Sequence, residues 1–316
     1  MGAKGKEHYI GVDLGGTKIL AGVFNSSLKL KSTSKQKTLA QDGCKAVLDR
    51  LAATTEDAIA LAKIDRATIA GVAIGAPGTV DTEKGTVRDA THLGWESVPL
   101  IREMERRLNL PVWADNDCNL ATLGVYHVEL RAKPKHMVGI FIGTGIGGGI
   151  IINGQLHRGI NFAAGEFGHM ILNEDLVDGE NPYAGSFESL AGGYAWERIV
   201  RAAQKTGAKA TLKNKPSELA IESARETARI ISIAVGNVIS ILAPERVVLG
   251  GGVIGALHEI MMPIIRKQVG DRMLPSSLEG VRITTSKLAE IAGITGAAWL
   301  ARGRSGRNPI KPARRI

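Results

Sequence analysis

The chain has 316 residues, 44% hydrophobic and 22% charged, with a formal net charge of +9. That length suits two domains, and the composition is ordinary for a globular protein. No run approaches the roughly 18 apolar residues of a membrane span, and the first eight residues lack the apolar core of a signal peptide. The two cysteines, Cys44 and Cys118, have no metal-ligand spacing and give no sign of an oxidising compartment, so the expected location is the cytoplasm.

Residues 8–37 read as three consecutive strands joined by tight turns, with Asn25-Ser26-Ser27 at the second turn. Val47, Leu51, Ala58 and Ala62 share one stripe, which predicts a helix over 44–62. Residues 68–75 form a continuous apolar strand suited to a sheet buried on both faces. It ends in the turn Gly75-Ala-Pro-Gly78. Ser97 is placed to cap a helix running to about Asn109, followed by a short strand at 111–114. Strands at 136–143 and 147–152 follow. The spacing of Ile221, Ala224, Ala228, Ile231, Val235, Val238 and Leu242 predicts a helix. Strand 246–249 enters three glycines, and a helix is expected from about 256. Strand 281–284 and a helix from about 290 to 302 finish the body. Arg302, Arg304, Arg307, Lys311, Arg314 and Arg315 then account for six of the nine net charges. They read as a solvated terminus, with a polyanion contact as the alternative.

Strands followed by alternating helices and strands, occurring twice, indicate an α/β fold with a mixed central sheet in each half. The expected division is 1–115, 116–302 and a basic tail at 303–316, with the helix at 290–302 a candidate to pack back on the first part.

Two glycine hairpins carry the chemistry: Gly11-Val-Asp-Leu-Gly-Gly-Thr-Lys18, and Gly139 to Gly149 around Gly143-Thr-Gly145. A strand, a turn of Gly and Thr, then another strand leaves backbone N–H groups to converge on an anion. The second contains Gly143-x-Gly145-x-x-Gly148, formally a dinucleotide fingerprint. That pattern needs a helix directly after the glycines, whereas Ile150-Ile151-Ile152 continues as a strand. Between the hairpins, Asp115-Asn116-Asp117-Cys118-Asn119 follows a strand and opens a helix. Such a cluster caps a helix, supplies a general base near a nucleotide, or does both. Glu166 and His169 lie in a loop-like stretch, and Glu188 opens a helix. These groups suit either structural roles or recognition of vicinal hydroxyls.

The chain resembles the ROK family of sugar kinases, within the actin-like, hexokinase-type ATPase superfamily. The resemblance spans about residues 8–302. It rests on Asp13-x-Gly-Gly-Thr-Lys18, Gly75-Ala-Pro-Gly78, Leu93-Gly-Trp95, Asn116-Asp-x-Asn119, Gly143-Thr-Gly-x-Gly-Gly-Gly149, Glu166-x-Gly-His169 and Leu249-Gly-Gly-Gly252. It implies a duplicated, ribonuclease H-like fold of two domains with a cleft between them, and ATP-dependent phosphorylation of a hexose. It further implies Asp117 as catalytic base and Asn116, Glu166, His169 and Glu188 as sugar ligands. Gly15, Gly16, Thr17 and Lys18 would form one phosphate loop, and Gly143, Thr144 and Gly145 the other. Gly250, Gly251 and Gly252 would form the adenosine loop, and Asp13 would hold Mg²⁺ directly or through water. A homodimer is the implied assembly; neither a membrane nor a specific nucleic acid is an expected partner.

Two departures stand out. Many members carry a Cys-x-Cys-Gly-x-x-Gly-Cys zinc site just after the Gly-His pair, but residues 170–188 contain no cysteine, so no zinc is expected. His92-Leu93 stands where the family commonly has Asn-Leu, near the sugar pocket. Glucose is the expected hexose, with fructose, mannose and N-acetyl amino sugars as alternatives, and inorganic polyphosphate as an alternative donor. The family's sugar-responsive repressors carry a DNA-reading module of roughly 60 residues before the first glycine loop, against eight residues here, which makes a regulatory role the lesser expectation.

Overall fold

The computed structural model describes residues 7–177, 181, 183–193, 197 and 218–307. These divide into two compact units. The first runs to Lys133 and includes Gln155–Ala164 and the chain from Ile291. The second holds Pro134–Gly154 and Gly165–Glu290.

In the first unit, β1 (His8–Leu14), β2 (Lys18–Asn25) and β3 (Leu30–Lys37) form an antiparallel meander. Parallel strands β4 (Ile69–Ala76) and β8 (Val112–Asn116) extend it, in the order β3-β2-β1-β4-β8. The sequence of each strand matches its station. β3 alternates exposed and half-buried positions as an edge strand does, whereas β1 and β4, with neighbours on both sides, are buried along nearly their whole length. Helix α1 (Cys44–Ala62) packs on β2 and β3 through Val47, Leu48, Leu51, Ala58 and Ile59. Helix α2 (Leu100–Leu108) lies along β8. The last helix of the chain, at Ala292–Arg302, packs on β1, β4 and α3 (Asp117–Gly124). A three-stranded sheet of β5 (Thr79–Asp81), β6 (Thr86–Ala90) and β7 (Trp95–Val98) completes this unit, with Trp95 buried.

The second sheet repeats the first. Strands β9 (Met137–Ile142) and β10 (Ile146–Ile152) pair antiparallel, and β12 (Arg246–Gly250) and β13 (Arg282–Thr285) add in parallel. With the short edge strand β11 (Gln155–His157), the order is β11-β10-β9-β12-β13. Position for position, this is the first sheet's order. After the five-residue α4 (Phe187–Ala191), the long helices α5 (Glu218–Leu242) and α6 (Gly251–Arg272) pack against each other, and α6 covers β9, β12 and β13. A single turn, α7 (Pro275–Leu278), leads to β13. The last helix is therefore α8.

The structure differs from two sequence expectations and adds a sheet that the sequence pattern does not show. Ser97 does not cap α2: it lies in β7 with φ of 52°, and Pro99 precedes the helix without a side-chain cap. Helix α6 begins at Gly251, not near 256, because the helix starts directly on the three glycines. The sheet β5-β6-β7 went unread, since its strands are only three to five residues long. Lys311, Arg314 and Arg315 of the basic tail lie outside the described residues. Of the segment 171–187, residues 178–180 and 182 also lie outside; the rest closes through an antiparallel bridge between Ile171 and Ser186.

Candidate active site

The first unit sets three functional segments side by side at the C-terminal ends of its parallel strands, the end where open α/β sheets carry ligands. Asp13 on β1 is in register with Gly75 on β4, and Gly75 with Asp115 on β8. Beyond Asp13 the chain turns tightly, Gly15 donating its N–H to the Lys18 carbonyl at 2.9 Å. Thr38 ties the turn down, its hydroxyl donating to the Gly15 carbonyl at 2.6 Å and its N–H to the Thr17 carbonyl at 3.0 Å. Thr17 is left exposed at the tip. His92, the residue that departs from the family pattern, sits against this loop: a Cβ at Gly16 would lie 3.1 Å from the His92 Cβ.

Burial pushes the Asp13 carboxyl up to about 6, against the opposing pull of the Lys18 ammonium. Gly293 on α8 leaves room for it, since a Cβ there would lie 3.3 Å from the Asp13 Cγ. One carboxylate beside a phosphate-type loop fits Mg²⁺, which keeps most of its waters and takes phosphate oxygens.

Asn116 and Asp117 stand at the junction of β8 and α3. Asn116 is the N-cap of α3: its Oδ1 accepts from the Asn119 N–H at 3.0 Å, and its Nδ2 donates to the Gly78 carbonyl at 3.1 Å. Asp117 follows in the first turn, its Oδ1 accepting from the Cys118 N–H at 2.8 Å. The cap thus falls to Asn116 and not to the carboxylate beside it. The close approach of Gly75, whose Cβ would lie 3.1 Å from the Asp117 Cα, lets the helix start settle onto β4.

The second unit gathers the remaining segments around the start of β10. The Gly143 N–H donates to the Gly145 carbonyl at 2.9 Å, and the Thr144 carbonyl accepts from the Gly193 N–H at 2.6 Å. Glu188 on α4 accepts from the Ile146 N–H at 2.5 Å. The turn Glu166–His169 lies against the same strand, since a Cβ at Gly168 would meet the Ile146 carbonyl oxygen at 2.3 Å. Glu166 is half-buried, and His169 is exposed with its ring edge-on to Tyr183 at 5.5 Å. Gly250 pairs with Phe141 across the sheet, which brings residues 250–252 beside 143–145. Gly251 cannot be another residue without strain: its φ is +85°, and a Cβ would lie 2.4 Å from the Ile142 carbonyl oxygen. Gly143 and Gly252 differ, having nothing within 4 Å of a Cβ position, so the protein's own packing does not demand glycine there. Helix α6 starts on this loop with no side-chain cap, so its first N–H groups can take an anion's oxygens.

The sequence-derived residues therefore fall into two sets. Asp13, Gly15–Lys18, Asn116 and Asp117 belong to the first unit; Gly143–Gly145, Glu166, His169, Glu188 and Gly250–Gly252 belong to the second.

A family model described as the ROK family matches residues 9–304. The chain belongs to the ROK family. It is 31% identical to a glucokinase of Thermotoga maritima over 316 residues, covering 94% of this chain and 98% of that one. A putative xylose repressor of a Caldicellulosiruptor species is 29% identical over 79% of this chain and 67% of its own. Among solved structures, a ROK family glucokinase from Streptomyces griseus in complex with glucose and AMPPNP is 30% identical, covers 93% of this chain and 99% of that one, and superposes with a TM-score of 0.82. The fold is accordingly the duplicated actin-like ATPase architecture that the motif series implied. This family contains both sugar kinases and regulators.

Sequence reasoning missed Arg158. Its guanidinium grips Asp115 from Nε at 2.9 Å and from a terminal nitrogen at 2.6 Å. The two residues are 43 apart in sequence, and no periodicity connects them.

Proposed function

We propose that this protein is an ATP-dependent hexose kinase, with glucose the first substrate to test. The observation that carries the reading is the β8–α3 junction, where Asn116 takes the helix cap and leaves the Asp117 carboxylate in the first turn beside the Asp13 loop's strand neighbours. The similarity to a glucokinase structure holding glucose and AMPPNP supports it.

In this reading Asn116, Glu166, His169 and Glu188 bind sugar hydroxyls. Asp117 accepts the proton of the primary hydroxyl as its oxygen bonds to the γ-phosphorus; the bond from that phosphorus to the bridging oxygen breaks and ADP leaves. The backbone N–H groups of Gly15–Lys18 and Gly143–Gly145 stabilise the equatorial oxygens, and Lys18 adds a cation beside its loop. Residues 250–252 and the start of α6 hold the nucleotide's anionic end or its ribose. Asp13 would hold Mg²⁺, which supplies charge neutralisation on the phosphates. We further propose that the enzyme works in the cytoplasm as a homodimer.

Asp117→Asn tests the assignment. The amide keeps the shape but cannot take a proton, so kcat should fall by about 10²- to 10⁴-fold. Sugar binding, read by calorimetry, should persist. Turnover near that of the wild type would remove Asp117 from the role.

A further inference from the structure

The Asp115 carboxylate, one residue before the Asn116-Asp117 pair, is 2% exposed, and its hydrogen bonds link the junction to Arg158. Its Oδ1 accepts from the Asn116 backbone N–H at 2.9 Å and from the Asn119 Nδ2 at 3.2 Å. Its Oδ2 takes the two Arg158 donors described above. Arg158 is held in turn by its own loop, its carbonyl accepting from the Ala164 N–H at 3.1 Å. Nearby, the Arg88 guanidinium lies 5.3 Å from the centre of the Phe162 ring and pairs with Asp81 at 2.8 Å.

We infer that Arg158 is a positioning residue for phosphoryl transfer, acting through Asp115 to fix the strand-to-helix junction that presents Asp117. The inference rests on the reading of Asp117 as the base. A buried carboxylate needs a paired cation. Without Arg158 the Asp115 carboxylate loses the guanidinium that holds its Oδ2, and any rearrangement that follows alters its hold on the Asn116 N–H. The Asn116 side chain is less exposed to the change, because Gly78 and the Asn119 N–H hold both its ends. Loss of Arg158 should therefore appear in the chemical step more than in sugar binding. Arginine is the suitable partner because two of its nitrogens reach one carboxylate oxygen in a fixed fork. A lysine restores the charge without that fork.

The test is a double-mutant cycle in the full chain, with kcat and the KM for sugar measured for wild type, Arg158→Ala, Asp117→Asn and the double variant, and with Arg158→Lys alongside. Misplacing a reacting group by about 1 Å costs about 10²-fold, so Arg158→Ala should lower kcat by roughly 10- to 100-fold. Its sugar KM should stay within about threefold, and Arg158→Lys, which keeps the charge, should recover most of the loss. Groups that act as one unit are not additive. In the Asp117→Asn background, removing Arg158 should therefore change kcat by less than about twofold. Multiplying effects would overturn the proposal, as would a raised sugar KM at unchanged kcat. If Arg158→Ala does not fold, Arg158→Lys carries the same cycle, with a smaller fall in kcat that again vanishes without Asp117. The two readings fail separately: wild-type turnover by Asp117→Asn alone removes the base, whereas an additive cycle with an impaired Asp117→Asn removes only Arg158.

Discussion

Replacing Asp13 by Asn should make the protein more stable at neutral pH while impairing its chemistry. Burial at the end of the central strand raises the Asp13 carboxyl from 3.8 to about 6. Above pH 6 the folded chain carries a charge that the unfolded chain holds more easily; below 3.8 both states are protonated and the difference disappears. Stability from this group therefore falls as pH rises from about 4 to 6. A shift of roughly two units at about 1.4 kcal/mol per unit gives a cost of up to about 3 kcal/mol at pH 7.5, and about 1 kcal/mol at pH 4.5. Both are upper bounds, because the carboxylate keeps some contact with solvent. Asn carries no such cost. Urea unfolding followed by tryptophan fluorescence, in buffer with EDTA, should show Asp13→Asn more stable than wild type at pH 7.5 and the gap closing towards pH 4.5. A gap that does not depend on pH, or a less stable variant at pH 7.5, would show that the buried Asp13 charge does not cost the fold stability. Adding Mg²⁺ and ATP should then stabilise the wild type more than the variant, since a ligand stabilises only the state that binds it.

The glycines of the proposed nucleotide loop should separate by mutation. Gly251→Ala meets both a positive φ and the Ile142 carbonyl, so it should lower the melting temperature by several degrees. Gly252→Ala points into open space, so it should leave melting unchanged while raising the KM for ATP; an unchanged KM would remove Gly252 from the nucleotide's path. His127 is stacked on Trp299 at 3.7 Å, and burial together with the Arg302 charge lowers its imidazole to about 4. The unfolded chain binds that proton first, so stability should be lost as pH falls from 6.5 towards 4. His127→Phe keeps the stack and should flatten the acid limb of a melting-temperature profile; an identical limb would show that His127 does not set it.

How much of this was legible in the sequence varied with the physics of each element. The apolar run 68–75 and the heptad-like stripe of 221–242 became β4 and α5, because burial on both faces and burial on one stripe leave distinct patterns. Strands β5–β7 left none, since three to five residues cannot show a period, and Ser97 looked like a cap only because a helix lay near. The junction of Asp115–Asn119 was readable as a helix start, though not which residue caps it; the hydrogen bonds give the cap to Asn116, with Asp117 in the first turn. Sequence placed the first break near 115, at the end of β8. The compact units divide after Lys133, because α3 packs with α8 inside the first unit. Arg158 was invisible for a related reason: its partner is distant in the chain, and only the closing of the fold brings them together.

In the proposed reaction a hexose hydroxyl accepts the γ-phosphoryl group of ATP, so ADP release depends on sugar. The decisive measurement is a coupled assay of ADP release, run with Mg-ATP over glucose, fructose, mannose and their N-acetylated amino analogues. At least one hexose, with glucose first, should raise ADP release far above the sugar-free rate, and its 6-phosphate should accumulate in equal amount. ADP release that no sugar stimulates would contradict the claim.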